Sequence, residues 1–325
     1  MCHGDQSVSI LLCLYNGERF LDVTLSSAFA QQFREFELIV VDDGSTDNSH
    51  EVLARYKTDP RLRVLRQLNR GTPGALETGL RAAQGKYVAF LDQDDLWEPG
   101  YLLRMMRELS DRPETDMVFS GFQVIDEHGR QTGLRSRIPA GRLSFTSLFA
   151  DFIVGGNSNL LCRRSAVDRA GGVDTSFRLI YNVDLCLRVA LLAPDNIACV
   201  QEPLMRYRRH SGQLSRDTAG LAEEWARLVN KLEQRAPQQV AAHRNRAYSN
   251  HYRYLARMNY EAERHGSALR LLWRGFRSAP LAFLADARNW VTVAAGLCGL
   301  ALPRGLHRAV ERLAGYRRSG SEVLG

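Results

Sequence analysis

Four short apolar runs, "VSILLCLYN" (8–16), "FELIVVDD" (36–43), "LRVLRQL" (62–68) and "KYVAFLD" (86–92), each stop at polar residues, and helix-like stretches at 21–32, 47–57 and 74–84 separate them. Near-continuous apolar runs mark strands buried on both faces, and connections of this length carry a helix across to a parallel neighbour. The chain is therefore expected to be α/β, with a mostly parallel sheet flanked by helices. Ligands of such sheets bind outside the carboxyl ends of the strands. Those ends carry Tyr15-Asn16, Asp42-Asp43-Gly44-Ser45 and Asp92-Gln93-Asp94-Asp95, three polar clusters on one edge.

After Pro99, Leu102, Met106 and Leu109 keep the i, i+4, i+7 spacing of a helix, and "DMVFSGFQVID" (116–126) has strand composition. From about 127 to 155 the pattern weakens into a polar connection with Arg and Gly, long enough to be a functional loop. A strand at "NSNLLCRR" (157–164), a Gly171-Gly172 turn, a helix around "NVDLCLRVALL" (182–192) and strands near 197–201 and 204–209 follow. From about 219 the chain reads as helical. Its 325 residues exceed the roughly 100–200 of one domain, and the expected division is 1–218 and 219–325.

Charge sharpens that division. The chain carries a net +7, and residues 241–325 hold 14 Arg, no Lys and 5 Asp or Glu, so the basic character belongs to the tail. Six cysteines lack any C-x-x-C spacing and four sit inside apolar runs, which predicts reduced core thiols in a cytosolic protein. No basic segment followed by an apolar stretch opens the chain, so the expected location is cytoplasmic. The one long apolar run, Trp290 to Leu302, is shorter than the ~20 residues that span a bilayer. Asp286 and Arg288 precede it and Pro303-Arg304 follow it, which predicts a buried or interfacial helix.

Each polar cluster has a structural and a chemical reading. Asp92 and Asp94, two apart just beyond a strand, suit a hard divalent cation that takes its other ligands from water and phosphate, or else form an acidic turn before a helix. Asp43 in "VVDDGSTDNS" either belongs to an Asx turn or accepts the ring N–H of a nucleotide base. Tyr15 is either a half-buried strand-end aromatic or a plate on which that base stacks.

Taken together, "VSILLCLYNGERFL", "FELIVVDDGSTDNS", "AAQGKYVAFLDQDDLWEP", "AGGVDTSF", "NVDLCLRV" and "YRRHSGQLS" resemble, in order and spacing over roughly residues 7–215, the inverting family 2 glycosyltransferases of the non-processive bacterial surface-polysaccharide type. The resemblance implies the GT-A fold, a Rossmann-like, mostly parallel sheet flanked by helices, for residues 1–218, with 219–325 as a helical extension. It implies that Tyr15 and Asp43 contact the nucleotide base, that Asp92 meets the ribose or metal region, and that Asp94 binds the Mn2+ or Mg2+ holding the donor diphosphate. Asp184 matches the catalytic base. His210 falls where some relatives place a group near metal and diphosphate, with Arg208 and Arg209 as alternatives. Read without the resemblance, Asp184 is the i, i+4 partner of Arg188.

Two departures touch donor and acceptor details: Val183 stands where many relatives have Glu, and Leu76-Glu77 where many have Arg-Asn. The Q-x-x-R-W motif of processive relatives is missing, which implies one sugar per visit. The implied reaction is in-line displacement at the anomeric carbon of a nucleotide-diphosphate sugar (UDP, dTDP or GDP), with inversion, onto a hydroxyl of a glycan or polyprenyl-linked acceptor. The alternatives are a degenerate transferase acting as a membrane-associated binding partner, or a metal-dependent nucleotidyltransferase. The latter would want a Gly-rich basic loop after the first strand, where "LYNGERFL" has one Gly.

In "SALRLLWRGFRSAP", Leu269, Leu272, Trp273 and Phe276 fall at i, i+3, i+4, i+7, with Arg270, Arg274 and Arg277 elsewhere. Such a helix either packs with a solvated Arg face or attaches to an anionic membrane. The resemblance favours peripheral attachment to the inner face of the cell membrane, because many bacterial relatives glycosylate lipid-linked intermediates. No nucleic-acid reader motif is present, so nucleic acid is not an expected partner.

Overall fold

The structure, a computed structural model, describes residues 7–302. Cys2, the Pro303-Arg304 pair and the rest of residues 303–325 lie outside the described residues. The chain divides into two compact units, Met1–Phe145 with Ile153–Arg209, and Thr146–Phe152 with His210–Gly325. The border thus falls ahead of the expected 218/219, and a piece of the 127–155 connection belongs to the helical unit.

The strands are β1 (Val8–Leu14), β2 (Phe36–Asp42), β3 (Leu62–Arg66), β4 (Tyr87–Phe90), β5 (Leu96–Trp97), β6 (Met117–Ile125), β7 (Gln131–Arg135), β8 (Leu160–Arg163) and β9 (Ile197–Arg208). They form one sheet in the order β3-β2-β1-β4-β8-β6-β9-β5, with β7 beside β6. The first four are parallel and are linked by α1 (Glu18–Phe29), α2 (Ser49–Ala54) and α3 (Gly71–Ala82). β1 is buried along its whole length, which is why its sequence shows no alternation. Leu12, Leu14, Leu21 and Leu25 are fully buried, each contributing about 1.5–3 kcal/mol.

Beyond β4 the sheet is mixed: β8 is antiparallel to both β4 and β6, β5 is antiparallel to β9, and β6 and β9 are parallel. β9 is a single strand where two were expected. Its register against β6 shifts between Ser120 and Gly121, where Val200 and Pro203 are successive partners, so Gln201 and Glu202 are absorbed as a bulge. α4 (Tyr101–Ser110) buries Leu102, Met106 and Leu109 as their spacing predicts. The 127–155 connection contains β7 and α5 (Phe145–Ala150). α6 (Arg164–Ala170) and α7 (Tyr181–Ala190) follow β8.

The second unit contains α8 (Thr218–Arg235), α9 (Pro237–Glu261), α10 (His265–Ser278), α11 (Pro280–Ala285) and α12 (Ala287–Ala301). Trp225 stacks on Phe149 and on His251, and Asn250 donates to the Ala150 carbonyl at 2.7 Å, which explains why the 146–152 segment belongs here. α10 buries Ala268 and Leu272 in a cluster with Ala256 and Tyr260 of α9. Leu269, Leu272 and Phe276 of its apolar stripe therefore pack, while Trp273 and the Arg face are left to solvent. Cys13, Cys162, Cys186, Cys199 and Cys298 are free thiols, the first four buried. Among the described residues no helix is long and apolar enough to cross a membrane.

Candidate active site

Parallel pairing of β2, β1 and β4 brings their carboxyl ends to one edge, and the turns that follow interlock there. Asn16, just past β1, has a φ of 49°, in the left-handed region that Asn tolerates through local hydrogen bonding. Its Oδ1 accepts the Thr46 N–H at 2.8 Å, and its own N–H donates to Ser45 Oγ at 3.1 Å. Gly17 N–H donates to Ser49 Oγ, and Glu18 N–H to Asp47 Oδ2, both at 3.0 Å. Burial raises the Asp47 carboxyl, but the Ser49 hydroxyl and the Glu18 and Ser49 amides outweigh it and hold the group below its usual range. "GSTDNS" thus fastens the β2 turn to the start of α1.

Tyr15 keeps 45% of its surface exposed at this edge. Its backbone is held from across the sheet: Gln93 Oε1 accepts the Tyr15 N–H at 2.9 Å, and Gln93 Nε2 donates to the Tyr15 carbonyl at 3.1 Å. The residue between the two acids therefore sets where the aromatic plate stands. Asp43 is 1% exposed, and its Oδ1 accepts from Gln67 Nε2 at 2.7 Å and the Arg70 N–H at 2.9 Å. Both bonds fall on one oxygen, leaving Oδ2 with no hydrogen bond among the described residues.

The acidic loop after β4 is clamped by residues that the sequence did not single out. Ser158 Oγ accepts the Asp92 N–H at 2.9 Å and donates to Asp95 Oδ2 at 2.7 Å, while Asn157 Nδ2 reaches Asp92 Oδ1 at 3.3 Å. Thr24 Oγ1 donates to the carbonyls of Gln93 and Asp95 at 3.0 and 2.9 Å. Asp95 is buried and also accepts the Arg208 N–H at 2.9 Å, so it bolts the loop to β9 instead of capping α4. The Arg208 guanidinium, nearly buried over the Phe20 ring, donates to the carbonyls of Asp94, Asp126 and Glu127. These contacts fix its guanidinium against the acidic loop.

Burial and then the neighbouring Asp94 push the Asp92 carboxyl up to about 7. The same causes, with Asp92 added, raise Asp95 well above the usual carboxylate range. Three carboxylates at one strand end repel, and a cation there relieves them. Among the described residues no three His, Cys, Asp or Glu side chains form a metal-holding group by themselves. One or two carboxylates completed by substrate phosphates is nonetheless an ordinary way to hold Mg2+, and Asp92 and Asp94 fit it. His210 opens the second unit, where its Nδ1 accepts the Gly212 N–H at 3.2 Å.

Asp184 is the base that the resemblance implies. It lies in the first turn of α7 with no exposed surface, and Arg188 Nε and Nη2 both donate to its Oδ2, at 2.7 and 2.5 Å. The same guanidinium donates to the carbonyls of Ala170 and Gly172, tying α7 to the turn after α6, where Gly171 and Gly172 take φ values of 91° and 69°. A general base must reach the proton it takes. The geometry gives Asp184 the i, i+4 ion pair of its other reading, and as a base it would have to leave Arg188 to reach a proton. At the start of the same helix the Tyr181 hydroxyl is raised by burial and then by the Asp92 charge.

The family model described as Glycosyl transferase family 2 matches residues 9–171. An uncharacterized glycosyltransferase of a Nostoc species is 29% identical over 67% of this chain and 69% of its own length. The Escherichia coli UDP-Glc:alpha-D-GlcNAc-diphosphoundecaprenol beta-1,3-glucosyltransferase WfaP is 27% identical over 64% of this chain and 79% of its own. Residues 1–349 of S. aureus TarS, crystallised with UDP-GlcNAc, superpose with a TM-score of 0.62 at 17% identity, covering 90% of each chain. The strand-end motifs, the GT-A-like sheet and the family match over half the chain agree: the chain belongs to glycosyl transferase family 2 and is a glycosyltransferase.

Proposed function

We propose that the chain transfers one sugar, with inversion, from a nucleotide-diphosphate donor to a hydroxyl of a lipid-linked glycan acceptor in the synthesis of a surface polysaccharide. The observation that carries this is the gathering of Tyr15, Asp43, Asp92 and Asp94 on one sheet edge, each held by its own bonds or loop. Tyr15 offers a face to a nucleotide base, and Asp43 Oδ2 accepts a base N–H. Asp92 and Asp94 would hold the Mn2+ or Mg2+ whose charge offsets that developing on the leaving diphosphate. Asp184 orients the amino end of α7 through Arg188. The UDP-Glc in the name of WfaP and the UDP-GlcNAc in complex with TarS support a UDP-sugar, and the diphosphoundecaprenol in the name of WfaP supports a polyprenyl-diphosphate acceptor.

The test is a panel of UDP-, dTDP- and GDP-sugars incubated with the full chain, with Mn2+ or Mg2+ against chelator, reading nucleoside diphosphate release and transfer to a polyprenyl-diphosphate sugar. Metal-dependent release from one donor, and a product of inverted anomeric configuration, are expected. The sealed state of Asp184 favours one rival, a degenerate chain that only binds. Metal-dependent nucleotide binding with no release from any donor would establish that rival and overturn transfer.

A further inference from the structure

We infer that the outward face of α12, together with α11, is a docking surface for an anionic lipid bilayer, lying in the interface without crossing it. α12 carries no charged residue after Arg288, and its inward side is already used: Asn289 and Gly296 are buried, and Val293 and Ala295 pack on the α9–α10 cluster. Gly296 is packed so closely that a Cβ there would stand 2.9 Å from Leu269 of α10. The opposite side is also apolar and faces water. Trp290 is 50% exposed, Val291 70% and Leu297 54%, and positions 290, 291, 294, 297 and 301 form one stripe at 100° per residue. α11 adds Leu281, 84% exposed, and Leu284.

A helix apolar on both sides must bury both, and the chemistry beside this face selects lipid. The 15 residues of α12 rise about 22 Å, short of the ~30 Å hydrocarbon layer, so it lies along the surface. Trp290 on α12 and the exposed Trp273 on α10 are of the type that settles at headgroup depth. Trp273 and Arg277 lie at i+4 and i+8 from Leu269, on the flank of α10 next to the α12 contact, with Arg270 and Arg274 beside them, all exposed. From His265 to Leu302 the one acid is Asp286, bound to Arg288 at 2.6 Å. A second copy docking here would bring like charges together, whereas anionic headgroups meet them. This moves attachment from the stripe of α10, of which all but Trp273 is spent on packing, to α12. The inference deepens the lipid-linked acceptor reading, but its test involves no transfer, so either can fail alone.

Full-length wild type and the exposed-site variant Val291→Asp/Leu297→Asp are compared by co-sedimentation with phosphatidylcholine vesicles with and without phosphatidylglycerol. Wild type should partition onto the anionic vesicles, and the variant at least tenfold less, with an unchanged melting temperature. Should that variant fold poorly, Trp290→Phe supplies a second reading: wild-type fluorescence should blue-shift on anionic vesicles, and the variant should lose most of the shift. Equal partitioning of wild type and variant, or a wild-type spectrum indifferent to vesicles, overturns the inference. So does a vesicle-blind wild-type dimer that the double substitution converts to monomer, and so does vesicle binding that emerges only after removal of residues 303–325, since that segment would then cover the face.

Discussion

Arg188 places two N–H donors on one oxygen of Asp184, both residues sealed from solvent. Removing one partner of a buried ion pair leaves the other charge uncompensated, at roughly 3–5 kcal/mol. Asp184→Asn should therefore lower the melting temperature by on the order of 10 °C, with transfer falling alongside. The paired change Asp184→Leu/Arg188→Met should regain much of the stability and part of the rate. Calorimetry and initial rates on wild type and the two variants check this. Restored stability with transfer still absent would support the base role of Asp184.

Among the described residues Gln93 is the single side chain joining the acidic loop to the Tyr15 backbone. Two hydrogen bonds at about 1 kcal/mol each hold the plate on which the base is proposed to stack. Gln93→Ala should raise the donor KM about three- to tenfold and leave kcat within about twofold, because the bonds serve binding and not the reacting carbon. A fall in kcat at constant KM would place Gln93 nearer the chemistry than the Tyr15 turn.

What could be read in advance follows from how local each signal is. β1, β2 and β4 declare themselves because strands buried on both faces need unbroken apolar runs, and their ends mark the site edge once the sheet is parallel. Ser158 and Arg208 act on the acidic loop only because β8 pairs with β4 and β5 pairs with β9, long-range facts that no window of sequence contains. The helical periodicity of α10 was legible, but which neighbour would cover it was not. Asp184 had two readings, and only its burial separates them.

Asp94 raises the carboxyls of both Asp92 and Asp95. Asp94→Asn removes a like charge from a crowded loop, so the ligand-free protein should melt at the same temperature or slightly higher. The same change should abolish the added stabilisation by UDP with Mn2+, which for a wild-type site at a hundred times its Kd is about 2.7 kcal/mol. Thermal shift with UDP, Mn2+, both and neither checks the two signs together. An unaltered response to UDP with Mn2+ would remove Asp94 from the metal site.

His251 lies against Trp225 with ring centroids 4.5 Å apart, and its Nε2 is shielded from water without a hydrogen-bond partner among the described residues. Burial pushes its pKa down to about 3, against the upward pull of a backbone bond to Leu221. The unfolded chain, with an ordinary value near ~6.5, binds this proton first as pH falls. Stability from a neutral folded His251 is thus complete above about 6.5 and lost progressively toward about 3, at ~1.4 kcal/mol per pH unit. Asp92 and Asp95, raised in the fold, act with the opposite sign, so the difference between wild type and His251→Phe isolates the histidine. Between pH 6.5 and 4.5 that difference should shift by about 2–3 kcal/mol in favour of the variant, read by denaturant unfolding followed in the second unit. Parallel pH profiles would mean that the ring takes up its proton without leaving its place on Trp225.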